Sequence, residues 1–210
     1  VSISGDTAVV GACNDHSSSS NPGTVYIYRF NGSRWVEEEI LTKGVHPNLD
    51  RFGESVCISD EIVIVGAHFE SEDGKGSRSG SSYVYRFNGN EWLEEAKLVA
   101  SDGENYHHFG NSLCISEENI IIGAWGDNYN GSATGSAYMF HFDGVEWVET
   151  GKLLASDGAS DYNFGYGVGI SGNVVAIGAY HDSPNGQYSG SAYMFNLVEG
   201  SSSIPFLVNK

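Results

Sequence analysis

The chain has 210 residues, of which 27 are acidic and ten are basic, giving a formal net charge of −17. A surface of that sign repels nucleic acids and anionic membranes and tolerates cations or high salt. No stretch of the sequence approaches the length of roughly 18 apolar residues that a membrane-spanning helix needs. We therefore expect no nucleic-acid partner and no membrane insertion.

One sequence pattern occurs four times along the chain, and its copies are 55 to 57 residues apart. Its most regular element is a Gly-Ala pair, found at Gly11-Ala12, Gly66-Ala67, Gly123-Ala124 and Gly178-Ala179. With the same spacing, Phe-Gly recurs at Phe52-Gly53, Phe109-Gly110 and Phe164-Gly165, and Trp recurs at Trp35, Trp92 and Trp147. A fixed period of this length is typical of an array in which each unit buries its apolar face on its neighbours.

The third copy shows the predicted elements of one unit in chain order. Gly110–Ser116 alternates apolar and polar residues, and Asn119–Ala124 is a β-branched run. After a long loop, Gly135–Phe142 places aromatic residues at alternate positions, and Glu146–Leu154 completes the unit. Alternation with period two, punctuated by Gly, Asn and Asp, predicts four antiparallel strands in a meander, which we name a to d.

On this template the four units extend over approximately residues 1–43, 52–100, 109–155 and 164–210. The first unit lacks the Phe-Gly pair, and the fourth lacks both the Trp and the turn before strand d. Ile204–Val208 is the candidate for a degenerate outer strand in the fourth unit.

The connections between strands fall into two classes. Asn-Gly or Asp-Gly pairs separate strands c and d, at Asn31-Gly32, Asn88-Gly89 and Asp143-Gly144. They predict two-residue hairpin turns in which both central residues have positive φ. The a–b and c–d connections are short, whereas the b–c and d–a connections are long. Because alternate connections of a meander lie at opposite ends of the sheet, both long sets share one face, which we call the long-loop face.

Four-stranded units of this length with an aromatic signature predict the blades of an all-β β-propeller. Two architectures remain open, a four-bladed ring and a segment of a larger ring, for example of seven blades. Paired aromatic residues on strand c, such as Tyr83 and Tyr85, predict packing between blades.

Cys57 and Cys114 share one repeat position, which Ser2 and Gly169 occupy in the other copies. A position that takes Ser, Gly or Cys needs a small side chain, so the two cysteines are predicted to be small packed residues.

These motifs resemble the FG-GAP repeat family, the blade unit of integrin-α-like propellers. The match is carried by Phe-Gly together with Gly-Ala, and by Gly80-Ser81-Ser82-Tyr83, Gly135-Ser136-Ala137-Tyr138 and Gly190-Ser191-Ala192-Tyr193. The resemblance implies an extracellular or surface-displayed propeller that acts in adhesion, ligand binding or assembly. It also implies calcium in the b–c loops, where Asp127, Asn128 and Asn130 are weak ligand candidates. Hard cations prefer several carboxylates, so we expect no cofactor.

The long loops carry the candidate binding residues. An acid recurs three residues after each Gly-Ala pair, at Asp15, Glu70, Asp127 and Asp182. Such a ring of acids could hold cations or sugar hydroxyls, but an acid present in every unit also fits a cap on the backbone of its own turn. Loop aromatics suit a protein partner or a glycan. The ligand-binding candidates are Trp125, Tyr129, Tyr180, Asp127, Asp182 and His181.

No arrangement of a catalytic nucleophile is visible in the sequence. The favoured function is a non-catalytic extracellular propeller that binds a protein partner or assembles a surface structure through the long-loop face. A lectin-like module that binds glycans is the alternative function, and a hydrolase is the least favoured of the three.

Asn31 and Asn130 each begin an Asn-Gly-Ser sequon and are candidate glycosylation sites in a secreted eukaryotic chain.

Overall fold

The computed structural model describes residues 1–14, 23–43, 50–72 and 74–197. These residues form fifteen β-strands. Within them there is no helix that could cross a membrane. The strands of the first and second sheets are β1 (Ser2–Ser4), β2 (Thr7–Ala12), β3 (Thr24–Phe30), β4 (Trp35–Thr42), β5 (Val56–Ser59), β6 (Ile62–Ala67), β7 (Ser81–Phe87) and β8 (Trp92–Leu98). Those of the third and fourth sheets are β9 (Leu113–Ser116), β10 (Asn119–Ala124), β11 (Ser136–Phe142), β12 (Trp147–Leu153), β13 (Phe164–Ser171), β14 (Val174–Ala179) and β15 (Ser191–Asn196).

The strands pair as four antiparallel meanders whose spatial order follows the chain, which confirms the predicted all-β fold with four propeller blades. The first three sheets have four strands each. The fourth contains β13, β14 and β15 in the described part of the chain. The outer strand predicted at Ile204–Val208 lies outside the described residues. We number the sheets blades 1 to 4 in chain order.

Apolar clusters between neighbouring blades form the core. Strand β6 is buried along its whole length, because it is covered by the blade before it and by the blade after it. The Phe of each Phe-Gly pair is fully buried in such a cluster. Phe109, for example, packs edge-to-face on Tyr138 and Phe140, with ring centroids 5.5 and 6.0 Å apart. Geometries of this kind favour aromatic pairs, and the predicted role of the strand c aromatics is confirmed.

The Gly of the Gly-Ala pair is required by the close approach of the next blade. A Cβ atom built on Gly66 would lie 2.1 Å from the carbonyl oxygen of Gly110, and one built on Gly123 would lie 1.9 Å from that of Gly165. Real Cβ atoms do not tolerate such distances. The recurrence of Gly-Ala therefore records a backbone-to-backbone contact between blades.

The turns between strands c and d differ from the prediction of two-residue hairpins. Four residues, not two, separate β3 from β4. Gly32 has a positive φ of 90°, whereas Asn31 does not. Instead, Oδ1 of Asn31 accepts hydrogen bonds from the backbone N–H groups of Ser33 and Arg34, each at 3.1 Å. Asn88 and Asp143 accept equivalent bonds in the next two blades. The Asn or Asp is thus selected as a side-chain acceptor.

Candidate functional site

The two sets of long loops lie together at one end of the blades, as the meander predicts. In blade 2 the d–a loop runs alongside the b–c loop. The backbone N–H of His108 donates to the carbonyl oxygen of Arg78 at 3.1 Å, and that of Phe109 donates to Ser79 at 2.9 Å. In blade 3 the N–H of Asp161 donates to the carbonyl of Ser132 at 2.7 Å. These bonds make the long-loop face a connected surface.

The recurring acid of the b–c loop is buried. Glu70, Asp127 and Asp182 are respectively 6%, 1% and 2% exposed, and Asp15 lies outside the described residues. These carboxylates face into the blades, where they form what we call the recurring-acid network.

Asp127 shows the composition of this network in blade 3. Its Oδ1 accepts the backbone N–H of Tyr129 at 3.0 Å, which is the cap expected of an acid in a turn. Its Oδ2 accepts hydroxyl hydrogen bonds from Ser136 at 2.7 Å and from Tyr138 at 2.9 Å. The Lys152 ammonium lies 2.6 Å from the same oxygen. The acid therefore joins the b–c loop to strands c and d.

The same network is present in the neighbouring blades. In blade 2, Glu70 accepts hydrogen bonds from the hydroxyls of Ser81 and Tyr83, and it pairs with Lys97 at 3.0 Å. In blade 4, Asp182 accepts from Ser191 at 2.5 Å and from Tyr193 at 3.3 Å.

Charged residues of the preceding blade extend the network across each described interface. Lys43, which follows β4 in blade 1, is buried and pairs with Glu70 of blade 2. Asp102, in the loop after blade 2, contacts Lys152 at 2.6 Å and accepts from Tyr138 at 2.7 Å. The network thus links blades as well as strands. The recurrence of Gly-Ser, Tyr and Lys in phase with the acid was its only signal in the sequence.

The network holds Glu70 in its ionised form. Burial alone would raise the pKa of this carboxyl, but the hydrogen bonds from Lys43 and Ser81 outweigh it and lower the pKa to about 2. In the same way, the pKa of Asp127 is raised by burial and lowered more strongly by Lys152 and Ser136, so that it lies below its ordinary value. Both groups are therefore anionic near neutral pH.

We expect Glu70 to make the stability of the protein sensitive to acid. Its folded-state pKa of about 2 lies below the ordinary value of 4.5, so its contribution is complete above about pH 4.5 and is lost as the pH falls toward 2. A shift of this size corresponds to up to about 3 kcal/mol of unfolding free energy. Urea unfolding between pH 6 and 2 should show a shallower pH dependence for Glu70→Gln than for the wild type. An equal dependence in the two proteins would contradict this role, and Glu61→Gln, at an exposed turn, serves as the control.

The three weak calcium candidates do not fit a calcium site. Both carboxylate oxygens of Asp127 accept hydrogen bonds from the protein, and the Lys152 ammonium lies beside one of them. The amide oxygen of Asn128 accepts the backbone N–H of Ala133 at 2.8 Å. Asn130 is exposed. In the described part of the chain, no three His, Cys, Asp or Glu side chains converge as metal ligands would.

Two of the aromatic candidates belong to an exposed cluster on blade 4. The ring of Tyr180 lies 4.3 Å from that of Tyr166 and 3.9 Å from that of His181, and the His181 ring lies 4.7 Å from Tyr188. The three tyrosines are 45 to 61% exposed. We call these four residues the blade-4 aromatic cluster. The sequence did not single out Tyr166, because it lies on strand β13 rather than in a loop.

The other aromatic candidates lie in the b–c loop of blade 3. Trp125 is half-buried and stacks on His108, with ring centroids 4.6 Å apart and planes at 9°. Tyr129 is exposed, and the Lys152 ammonium lies 5.4 Å from its ring centroid.

Arginines accompany the aromatic rings on the long-loop face. The guanidinium groups of Arg51 and Arg78 lie 4.6 and 4.5 Å from the ring centroid of Phe69. Arg78 also lies 5.9 Å from the ring of the exposed Tyr106. Cation–π contacts of this kind hold long basic side chains in place. This face therefore presents ordered arginine and aromatic groups on a strongly acidic protein.

Four segments of the chain match the FG-GAP repeat family, namely residues 1–28, 35–85, 92–140 and 147–195. The chain belongs to the FG-GAP repeat family. Propellers of FG-GAP repeats are typically non-catalytic and serve in protein interactions. From the second segment on, each match begins at the Trp of strand d and ends in strand c of the following blade. One family unit therefore contains strand d of one blade and strands a to c of the next.

A solved structure supports the fold of this FG-GAP repeat protein. The crystal structure of Sqt1 from Chaetomium thermophilum matches 93% of this chain and 42% of that chain, with a TM-score of 0.52 and 11% identity. At this identity the likeness concerns the fold alone, and the chain spans about two fifths of the length of the Sqt1 chain. No curated protein matches the chain.

Proposed function

We propose that this FG-GAP repeat propeller is a non-catalytic extracellular module that binds a protein partner through its long-loop face. The observation that carries the proposal is the blade-4 aromatic cluster, in which Tyr166, Tyr180 and Tyr188 are exposed although each ring contacts another ring. Tyrosine supplies a large contact area at low cost in conformational entropy, and Tyr, Trp and Arg dominate the binding energy of protein interfaces.

The arginines of the same face add to this support. Arg51 and Arg78 are ordered by Phe69 before any partner binds. Ordered side chains lose less entropy on association than free ones. The face is therefore suited to a protein whose own surface offers carboxylates and apolar groups.

A glycan is the alternative ligand, because exposed tyrosine rings can stack on the apolar face of a sugar. Glycan binding also needs polar side chains beside the rings. The two acidic candidates, Asp127 and Asp182, are buried in the recurring-acid network. Their burial favours a protein partner over a glycan.

Replacing the exposed tyrosines should weaken partner binding strongly without affecting the fold. We expect Tyr180→Ala and Tyr188→Ala to weaken binding at least about 30-fold, as for a residue that contributes 2 kcal/mol or more. A partner would be selected from an array of extracellular proteins, and its affinity measured by surface plasmon resonance. Leu93→Ala, which removes an exposed side chain from an outer strand, is the control.

Unchanged affinity in both tyrosine variants would contradict the long-loop face as the binding surface. A glycan array probed with the same proteins distinguishes the alternative. Signals on glycans that disappear in the tyrosine variants would favour the lectin-like function.

The two candidate glycosylation sites are tested separately. Asn31 and Asn130 are both exposed. If they are glycosylated, the protein secreted from eukaryotic cells should lose mass on enzymatic deglycosylation.

A further inference from the structure

Two cysteines face each other across the interface between blades 2 and 3. Cys57 lies in β5 and Cys114 in β9, which are the strands a of these blades. Their Sγ atoms are 3.9 Å apart, although the residues are 57 positions apart in the sequence. Both thiols are free and partly buried. Blades 2 and 3 each pack between two other blades of this chain, so the contact lies inside the array.

Hydrogen bonds to the neighbouring blades hold strand β5 in place. Ser55 Oγ, two residues before Cys57, donates to the carbonyl oxygen of Gly110 in blade 3 at 2.7 Å. The backbone N–H of Ile58, one residue after Cys57, donates to Ser2 Oγ of blade 1 at 3.2 Å. The Cys57 sulfur is therefore positioned by a fixed strand rather than by a loop, as a precise site requires.

The distance between the two sulfur atoms permits a disulfide after a small movement. An S–S bond is about 2.05 Å long, so the two sulfurs must approach each other by about 2 Å. That is within the movement that a change of side-chain rotamer gives a cysteine sulfur. Ser2 and Gly169 occupy the same repeat position in the other blades. Packing at this position therefore does not itself require a thiol.

The two thiols differ in their readiness to react. When Cys57 is ionised, the Cys114 thiol donates a hydrogen bond to it, which lowers the pKa of Cys57 although burial acts in the opposite direction. The same interaction, together with burial, raises the pKa of Cys114. Deprotonation of the pair therefore places the charge on Cys57. The thiolate is the form of cysteine that attacks disulfides.

We propose that Cys57 and Cys114 form an oxidation site, at which a low-molecular-weight disulfide such as oxidised glutathione converts the two thiols into a disulfide that joins blades 2 and 3. The Cys57 thiolate attacks one sulfur of oxidised glutathione, forms a mixed disulfide and releases the first glutathione. Cys114 then loses its proton, and its sulfur attacks Cys57 Sγ and releases the second glutathione. Two protein thiols are oxidised, one molecule of oxidised glutathione is reduced, and the two protons end on the released glutathione thiols.

The disulfide has a defined consequence for the array. It closes a long loop of the chain, because its two residues are 57 positions apart. A cross-link of this span stabilises the folded state mainly by restricting the unfolded chain. The proposal concerns the interior of the array and is independent of the partner-binding function proposed above.

Mass spectrometry of the Cys13→Ser variant, which retains only this pair of cysteines, tests the proposal. After incubation of the folded protein with oxidised glutathione near neutral pH, we expect the loss of two hydrogen atoms and a proteolytic digest that contains Cys57 and Cys114 in one pair of linked peptides. Dithiothreitol should reverse both changes. Two thiols that stay free, two glutathione adducts, or a disulfide between two chains would overturn the proposal.

The single-cysteine variants Cys57→Ser and Cys114→Ser, in the same background, are the matched controls. Serine occupies this repeat position in blade 1, so both variants should fold. Oxidation should raise the midpoint of thermal unfolding of Cys13→Ser by roughly 5 to 15 °C and should leave that of both controls unchanged. No shift in Cys13→Ser, or an equal shift in the controls, would contradict a stabilising link between the two blades.

Limited alkylation identifies the attacking thiol. When reduced Cys13→Ser is treated near neutral pH with less iodoacetamide than protein, Cys57 should carry at least about tenfold more label than Cys114, because alkylation requires the thiolate. Peptide mapping measures the ratio. Equal labelling, or more label on Cys114, would contradict the role of Cys57 as the attacking thiol.

Discussion

Replacing Asp127 with alanine should destabilise the protein by about 3 kcal/mol, because it removes the buried partner of a largely buried ammonium group. The substitution deprives the Lys152 ammonium, whose side chain is 18% exposed, of one of its two carboxylates. It also leaves the hydroxyl of Ser136, which is fully buried, without its acceptor. Urea unfolding followed by circular dichroism measures the loss.

Two variants separate the contributions to this effect. Asp102→Ala removes the other carboxylate that contacts Lys152, but that side chain is 52% exposed. Water can replace it, so we expect a loss of only about 1 kcal/mol, as for an exposed ion pair. Adding Lys152→Met to Asp127→Ala should restore part of the stability, because it removes the ammonium group that has lost its buried carboxylate. If Asp127→Ala alone lies within 1 kcal/mol of the wild type, the network does not hold the blades together.

The architecture was predictable because its determinants repeat in sequence. Each Gly-Ala pair marks a close contact between blades, and each Phe-Gly pair marks a ring buried between them. At Gly123 the close approach of the next blade leaves no room for a side chain, and the ring of Phe109 is fully buried. Four copies in register therefore predicted the number of blades, the strand order and the end of the blades at which the long loops lie.

The role of the recurring acid could not be predicted in the same way. Spacing from Gly-Ala places Asp127 in a loop, but it does not say whether the carboxylate turns outward or inward. The inward orientation depends on hydroxyl partners 9 and 11 residues away, Ser136 and Tyr138, and on Lys152 in another strand. In blade 2 an additional cation comes from Lys43, which has no counterpart in the other units. Such contacts depend on which residues of different strands lie side by side in the fold, and the spacing within one motif does not give that.

The length of the c–d turns could not be predicted from the Asn-Gly and Asp-Gly pairs alone. Strands c and d shift register by one residue in each of the first three blades, for example between Met139 and Phe140. A β-bulge of this kind increases the local twist. Within each four-residue connection the Asn or Asp side chain accepts backbone N–H bonds, although an Asn-Gly or Asp-Gly pair alone is typical of a two-residue hairpin.

Replacing Gly123 with alanine should have an effect comparable to the loss of the buried acid. The new methyl group would lie 1.9 Å from the carbonyl oxygen of Gly165 and 2.6 Å from Ser112 Oγ. The first of these atoms belongs to the backbone, so relief requires blades 3 and 4 to move apart and loosens the contacts of Phe164. Overpacking of this kind costs about 1 to 3 kcal/mol and occasionally more, and we expect the upper end of that range.

Gly178→Ala is the matched control for this substitution. The φ angle of Gly178 is not in the positive range, and the new methyl group would have ordinary contacts only. The change should be neutral, or stabilising by about 0.5 kcal/mol through the unfolded chain. Both variants are compared by thermal unfolding at the same protein concentration. Equal losses at the two positions would mean that glycine is needed for the conformation of strand b itself. A loss at Gly123 alone would show that contact between blades selects the Gly-Ala pair.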